Sequence, residues 1–120
     1  MRRDLELIRK IVLSVEDAPT GYAPDLKFED YTPEQVGYHA YLLVDAGLAK
    51  GCNMTSLGSD GPDYSIECLT WAGHEFAQEA RDDTRWKKAM GIVKEKGGTI
   101  TLEILKLVLG GLMKAGFGLQ

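Results

Sequence analysis

The stretch Leu69-Thr70-Trp71-Ala72-Gly73-His74-Glu75-Phe76 constrains this sequence more than any other. Before it, Tyr64-Ser65-Ile66-Glu67-Cys68-Leu69 alternates apolar and polar side chains, as a strand with one buried face does. After it, Phe76, Ala77 and Ala80 recur at helical spacing. Thr70 stands at the join, where its hydroxyl can accept from a free N–H of the first helical turn. A β-hairpin therefore runs directly into a helix. Trp71, at the helix start, is expected to be a buried anchor holding that helix to the body.

The flanking chain supplies the other elements. Leu5, Ile8, Ile11, Val12 and Val15 predict a helix over residues 3–16, with Asp4 and Glu6 at its positive end. Pro19 and Gly21 stop it. Residues 22–31 read as a short extended segment, with Pro24 favouring an edge or a strand start. A second helix spans 32–46, with Thr32 as N-cap, Pro33 in the first turn and Gln35 completing a capping box. Its inward stripe is Val36, Ala40 and Leu43, joined by His39 and Leu42, and Gly47 ends it. Strands at about 48–55 and 63–69 flank the turn-rich tip Ser56–Pro62. Helices then follow from Thr70 to about Arg81, from Asp82-Asp83-Thr84 through Trp86, Ala89, Met90 and Val93 to Gly97-Gly98, and from Thr99 or Thr101 onward.

Helix, short strand, helix, two-stranded wing, helix is the order of a winged-helix domain. The expected class is α+β and mainly helical, with a winged-helix-like domain over residues 1–83. A C-terminal helical extension over 84–120 is expected to pack on it as part of one globular unit. The opening Met1-Arg2-Arg3-Asp4-Leu5-Glu6-Leu7-Ile8-Arg9-Lys10-Ile11 leads straight into a helix with acids inside it, so no signal-peptide pattern opens the sequence. Nothing is apolar for long enough to span a bilayer. Cys52 and Cys68 fall on the two hairpin strands; free thiols of a reducing cytoplasm are the favoured reading, and a disulfide between them is the alternative.

Several blocks together resemble a known family. These are the opening segment, Gly37-Tyr38-His39 with Leu42–Leu48, the Leu69–Phe76 block, Arg81–Trp86 and Gly97-Gly98. They are similar to the DUF2513 family of small bacterial and prophage proteins, and the resemblance covers nearly the whole chain. It implies a winged-helix-like, cytoplasmic protein, often from phage or other mobile elements. It implies no catalytic residue.

Charge bears on what such a domain would bind. The net charge is −4, and it is unevenly spread: +2 over residues 1–10, −6 over 11–49, −5 over 50–83 and +5 over 84–120. A helix that reads DNA needs a companion helix before it. Residues 17–31 leave little room for one. Duplex affinity comes largely from Lys and Arg on phosphates, and residues 32–49 contain neither. The outward face of the second helix instead carries Glu34, Tyr38, Tyr41 and Asp45, a composition suited to a protein partner. That partner's identity is not readable. DNA binding through Arg2 and Arg3, or through Arg85, Lys87, Lys88, Lys94 and Lys96, is the alternative, as a small transcriptional regulator.

Catalysis is not expected. His74-Glu75 lacks a second histidine four residues on. His39, His74, Cys52 and Cys68 show no paired ligand spacing, and neither metal nor cofactor is implied. There is no phosphate-binding glycine loop and no nucleophile elbow. The last helix is apolar around most of its girth, with a narrow polar stripe of Glu103, Lys106, Gly110 and Lys114. Such a face is expected to be covered by a second copy through Leu105, Val108, Leu109 and Leu112. A groove within the same chain, or a membrane surface, is the less favoured cover.

Overall fold

The computed structural model describes residues 1–95 and 102–116. Among them are five helices and one two-stranded antiparallel sheet, an α+β and mainly helical architecture. The order is α1 (Leu5–Glu16), α2 (Pro33–Asp45), β1 (Ala49–Asn53), β2 (Tyr64–Leu69), α3 (Trp71–Ala80), α4 (Asp83–Glu95) and α5 (Leu102–Gly116). The chain divides into two compact units, Met1–Ala77 and the part from Gln78 onward. The division falls inside α3. The glycine pair 97–98, Lys96 and the expected start of the last helix at Thr99 or Thr101 lie outside the described residues.

In the first unit, α1 begins after Asp4, whose backbone is extended and whose Oδ1 accepts from the N–H groups of Glu6 and Leu7. The helix therefore starts two residues later than its apolar spacing alone suggests. Thr32 and Gln35 form the expected capping box on α2, each side chain accepting from the other's backbone N–H. At the far end of α2, Gly47 takes φ +77°, the left-handed conformation that glycine adopts without penalty. That turn lets Gly47 donate to the carbonyl of Val44 and Leu48 to that of Leu43, satisfying two of the last carbonyls of the helix. The chain is delivered directly into β1.

The α2 helix packs on both strands and on α1, and α1 also packs on β2. The core of this unit includes Leu7, Ile11, Val12, Val36, Leu43, Leu48, Ile66, Leu69 and Phe76. Register is fixed by the pairs Ala49–Leu69, Cys52–Ser65 and Asn53–Tyr64, with a bulge that leaves Glu67 unopposed. The bulge turns the Glu67 carbonyl to the outer edge, where it accepts from Ala23 N–H at 2.8 Å. That is the one backbone bond between residues 22–31 and the sheet. The expected extended segment is therefore not a strand: after Ala23 no backbone group of residues 24–31 bonds to β2.

Thr70 caps α3 as its position suggests, accepting from Gly73 N–H at 3.1 Å and donating to the Gly47 carbonyl at 2.7 Å. Trp71, however, is 82% exposed, not a buried anchor. The face of α3 that turns inward is Gly73, Phe76, Ala77 and Ala80. At 100° per residue, Trp71 lies roughly 200° from Gly73 and so on the outer side. Phe76 takes the anchoring role.

In the second unit, Asp82 caps α4 by accepting from Arg85 N–H at 2.7 Å. The helices α4 and α5 pack together, with Trp86, Ala89 and Val93 buried on one and Leu105 and Leu109 on the other. No helix among the described residues is long and apolar enough to cross a membrane.

Candidate protein-binding surface

The expected partner face of α2 is organised by a third aromatic, from the β-hairpin. Tyr38 and Tyr41 lie one turn apart with ring centroids 5.8 Å apart, and Tyr64, the first residue of β2, stacks against Tyr41 at 5.3 Å. All three are half-buried. Such tilted aromatic pairs hold one another's rotamers and present a rigid surface. Tyr64 was legible as a strand residue. Its place in this cluster depends on how the hairpin folds over α2, which spacing along one helix does not report.

Carboxylates ring this cluster. Glu34 and Asp45 lie at the two ends of α2, both exposed. Glu34 and Tyr38 line a cleft of 520 Å³ against the hairpin tip, with Asp60, Pro62 and Asp63 on the opposite wall. The Asp63 carboxylate lies against Gly37, in the space a side chain at residue 37 would occupy. None of these four carboxylates has a hydrogen bond or salt bridge within the described residues. Backbone groups of Asp63 are engaged instead: its carbonyl accepts from Met54 N–H and its N–H donates to Thr55 Oγ1.

His39, next to Tyr38, belongs to the framework. It is 1% exposed, its Nδ1–H donates to the Gln35 carbonyl at 2.8 Å, and its Nε2 accepts from Asp4 N–H at 2.8 Å. The backbone N–H can only donate, so the ring carries its proton on Nδ1. Asp4 is thereby a hub that local spacing did not disclose. It caps α1, ties to His39 through its backbone, and accepts from the Tyr31 hydroxyl through Oδ2 at 3.2 Å. Burial, then the Asp4 charge and the hydrogen bond to it, push the Tyr31 hydroxyl above its ordinary range. His74 lies elsewhere, exposed on α3, with Nδ1 3.2 Å from Glu16.

Cys52 and Cys68 are not cross-strand partners, since they face Ser65 and Lys50 respectively, and both are free thiols. Cys52 donates to Glu67 Oε1 at 2.9 Å, and that bond, followed by the Glu67 charge, raises its pKa. No group of three or more His, Cys, Asp or Glu placed to hold a metal ion occurs among the described residues.

The candidate phosphate-binding residues do not form one patch on one element. Arg2 and Arg3 precede α1, while Lys87 and Lys88 are exposed on α4. Arg85 is committed elsewhere: its Nε donates to the Glu79 carbonyl and an Nη to the Gln78 carbonyl, capping the end of α3. Lysine at residue 85 could not reach both carbonyls with one planar fork. Of the residues expected to meet a second copy, Leu105 and Leu109 are fully buried within the chain. Val108 and Leu112 are half-buried. Among the described side chains of α5, the large apolar ones left exposed are Ile104 and Leu107, the latter 75% exposed. The i, i+4 pair expected at the interface is the one that α5 turns inward in the second unit.

Comparison with known proteins places the chain among relatives. The family described as hypothetical protein (DUF2513) matches residues 2–99. A Haemophilus influenzae protein named "Uncharacterized protein" is 34% identical over 111 residues, which is 90% of this chain and 92% of that protein. No solved structure matches.

Proposed function

The chain belongs to the DUF2513 family, and we propose that it acts as a non-enzymatic adaptor or modulator by binding another protein through α2 and the wing. In this reading the first unit is a winged helix whose second helix meets a polypeptide rather than a DNA groove. The observation that carries it is the Tyr38–Tyr41–Tyr64 cluster, ringed by unpaired carboxylates on a helix without lysine or arginine. Tyrosines give large, rigid contact area at low entropic cost, and carboxylates of one sign select a basic partner surface while repelling phosphates. The region before α2 agrees, since residues 17–32 hold no helix to cross a DNA backbone.

The test is affinity capture from the native host with nuclease treatment, wild type against Tyr38→Ser/Tyr41→Ser. A polypeptide retained after nuclease by the wild type and released by the variant supports the reading. A sequence-specific duplex complex at physiological salt, lost in Lys87→Glu/Lys88→Glu, would replace it with the regulator reading. That alternative rests on the exposed lysines of α4. The homodimer is proposed on a shifted face of α5, where Ile104, Leu107, Val108 and Leu112 recur at i, i+3, i+4 and i+8. Light scattering on Leu107→Lys against the wild type tests it, and an unchanged mass refutes it.

A further inference from the structure

The outer edge of β2 faces a groove. Met54 donates to the Asp63 carbonyl and Thr70 to that of Leu48. Bonded and non-bonded pairs alternate along an antiparallel ladder. Cys52 and Ser65 are therefore a bonded pair, and Tyr64 and Ile66 direct their N–H and C=O groups to the opposite edge. Beyond Glu67, whose carbonyl takes Ala23 N–H, no described backbone group meets that edge. Next to it lies a groove of 620 Å³, walled by Pro24, Leu26 and Phe28 on one side and by Val36 and Ala40 of α2 at its floor. Asp63 stands at one end with its carboxylate unpaired. Lys27, the one cation along the groove, is 3.4 Å from Asp25 and exposed on the rim.

We infer that this groove receives an extended peptide as a third strand on β2, with apolar side chains facing α2 and a lysine or arginine beside Asp63. The chain itself supplies the precedent, because Ala23 already donates to Glu67 on that edge. Strand addition of this kind takes affinity from main-chain bonds and specificity from alternate side chains. The open stretch from Tyr64 to Ile66 spans roughly 7 Å at about 3.3 Å per residue, enough to pair about three peptide residues. Charge settles the end of the peptide: an unpaired carboxylate at a partly apolar site favours a cation and disfavours an acid. This inference rests on the protein-binding reading and names where and how the partner docks.

The probes are seven-residue blocked peptides, Lys-Thr-X-Thr-X-Thr-Lys, with Val, Ile, Leu or Phe at X. Each is titrated into the ¹⁵N-labelled full chain. The expected result is binding that moves the Tyr64 and Ile66 amide signals and slows their hydrogen exchange. Two N-methylated forms of the best peptide, methylated at alternate residues in opposite phases, then separate strand addition from side-chain capture. The phase that faces β2 should bind at least about tenfold more weakly, the cost of losing one or two ladder bonds, while the other phase keeps its affinity. Asp63→Asn, whose carboxylate supports nothing in the fold, should weaken the lysine peptides severalfold. Equal binding by both phases overturns the inference, as does no binding at about 1 mM by any of the four peptides. Shifts confined to Tyr38 and Tyr41 also overturn it, but leave the protein-binding reading standing; that reading fails separately, by the capture experiment.

Discussion

Gly73→Ala is the sharpest perturbation of the hairpin–helix junction. A Cβ at residue 73 would strike the Leu48 carbonyl oxygen, closer than real Cβ atoms come to any neighbour. Both sides of the contact are backbone. Residue 73 is in the first turn of α3, and Leu48 leads into β1 while its carbonyl accepts from Thr70 N–H at 3.0 Å. No side chain can rotate away, so the helix start must lift from the strand. Overpacking of this kind costs about 1–3 kcal/mol, and weakening the Thr70 bond adds about 1 kcal/mol. Alanine returns up to about 1 kcal/mol of helix propensity. The balance is a loss of about 2 kcal/mol, or roughly 8 °C in Tm for a chain of this size. Gly91→Ala is the control, because residue 91 lies within α4 with nothing within 4 Å of its Cβ position. It should gain up to about 1 kcal/mol. Urea unfolding followed by circular dichroism measures both. If Gly73→Ala matched the wild type or exceeded it, the backbone contact at the junction would not exist as described.

Other outcomes follow from the same contacts. Asp4→Ala removes the α1 cap and the acceptor of Tyr31 and should cost about 2 kcal/mol, whereas Asp4→Asn, which keeps a capping oxygen, should cost under about 1 kcal/mol; urea midpoints separate them. The raised Tyr31 pKa means the folded state holds that proton more tightly than the unfolded chain. Its stabilising contribution is complete below pH 10, the ordinary tyrosine value, and is lost as pH rises through the higher folded value, so Tyr31→Phe should flatten the alkaline limb of stability against pH. Alkylation of Cys52 should half-saturate above the pH typical of a free thiol, and Glu67→Gln should shift that midpoint down, as read by mass spectrometry on a Cys68→Ser background. Trp71→Ala should stay within about 0.5 kcal/mol of wild type in urea unfolding, since its side chain is exposed.

Local chemistry was legible where one residue type answers one backbone need. Thr32 with Gln35, Gly47, Thr70 and Asp82 each satisfy orphan groups of a helix end within a few residues, and each does so in the structure. Core stripes of α1 and α2 were legible for the same reason: their period is a property of one element. Trp71 shows where residue identity misleads. Its size suggests an anchor, yet the helical angle from Phe76 already puts it outside. The roles of Asp4, Arg85 and Tyr64 depend on partners that tertiary structure brings close. Asp4 meets His39 across 35 positions of sequence and Tyr31 across 27, distances at which no periodicity operates.

The groove beside β2 is a consequence of how its outer wall is held. Ala23 is tied to the sheet by its bond to Glu67, and Tyr31 is tied to Asp4 just before the Thr32 cap of α2. Between those fixed points, no backbone group of residues 24–30 bonds to β2. The intervening residues therefore bow outward instead of closing onto the edge. Leu26 and Phe28 remain half-buried along the wall. A cavity held open by pinned ends is preorganised, so an incoming strand bears the ordering cost mainly on its own side. With no third strand formed within the chain, the place beside Tyr64 and Ile66 is open to a strand from outside.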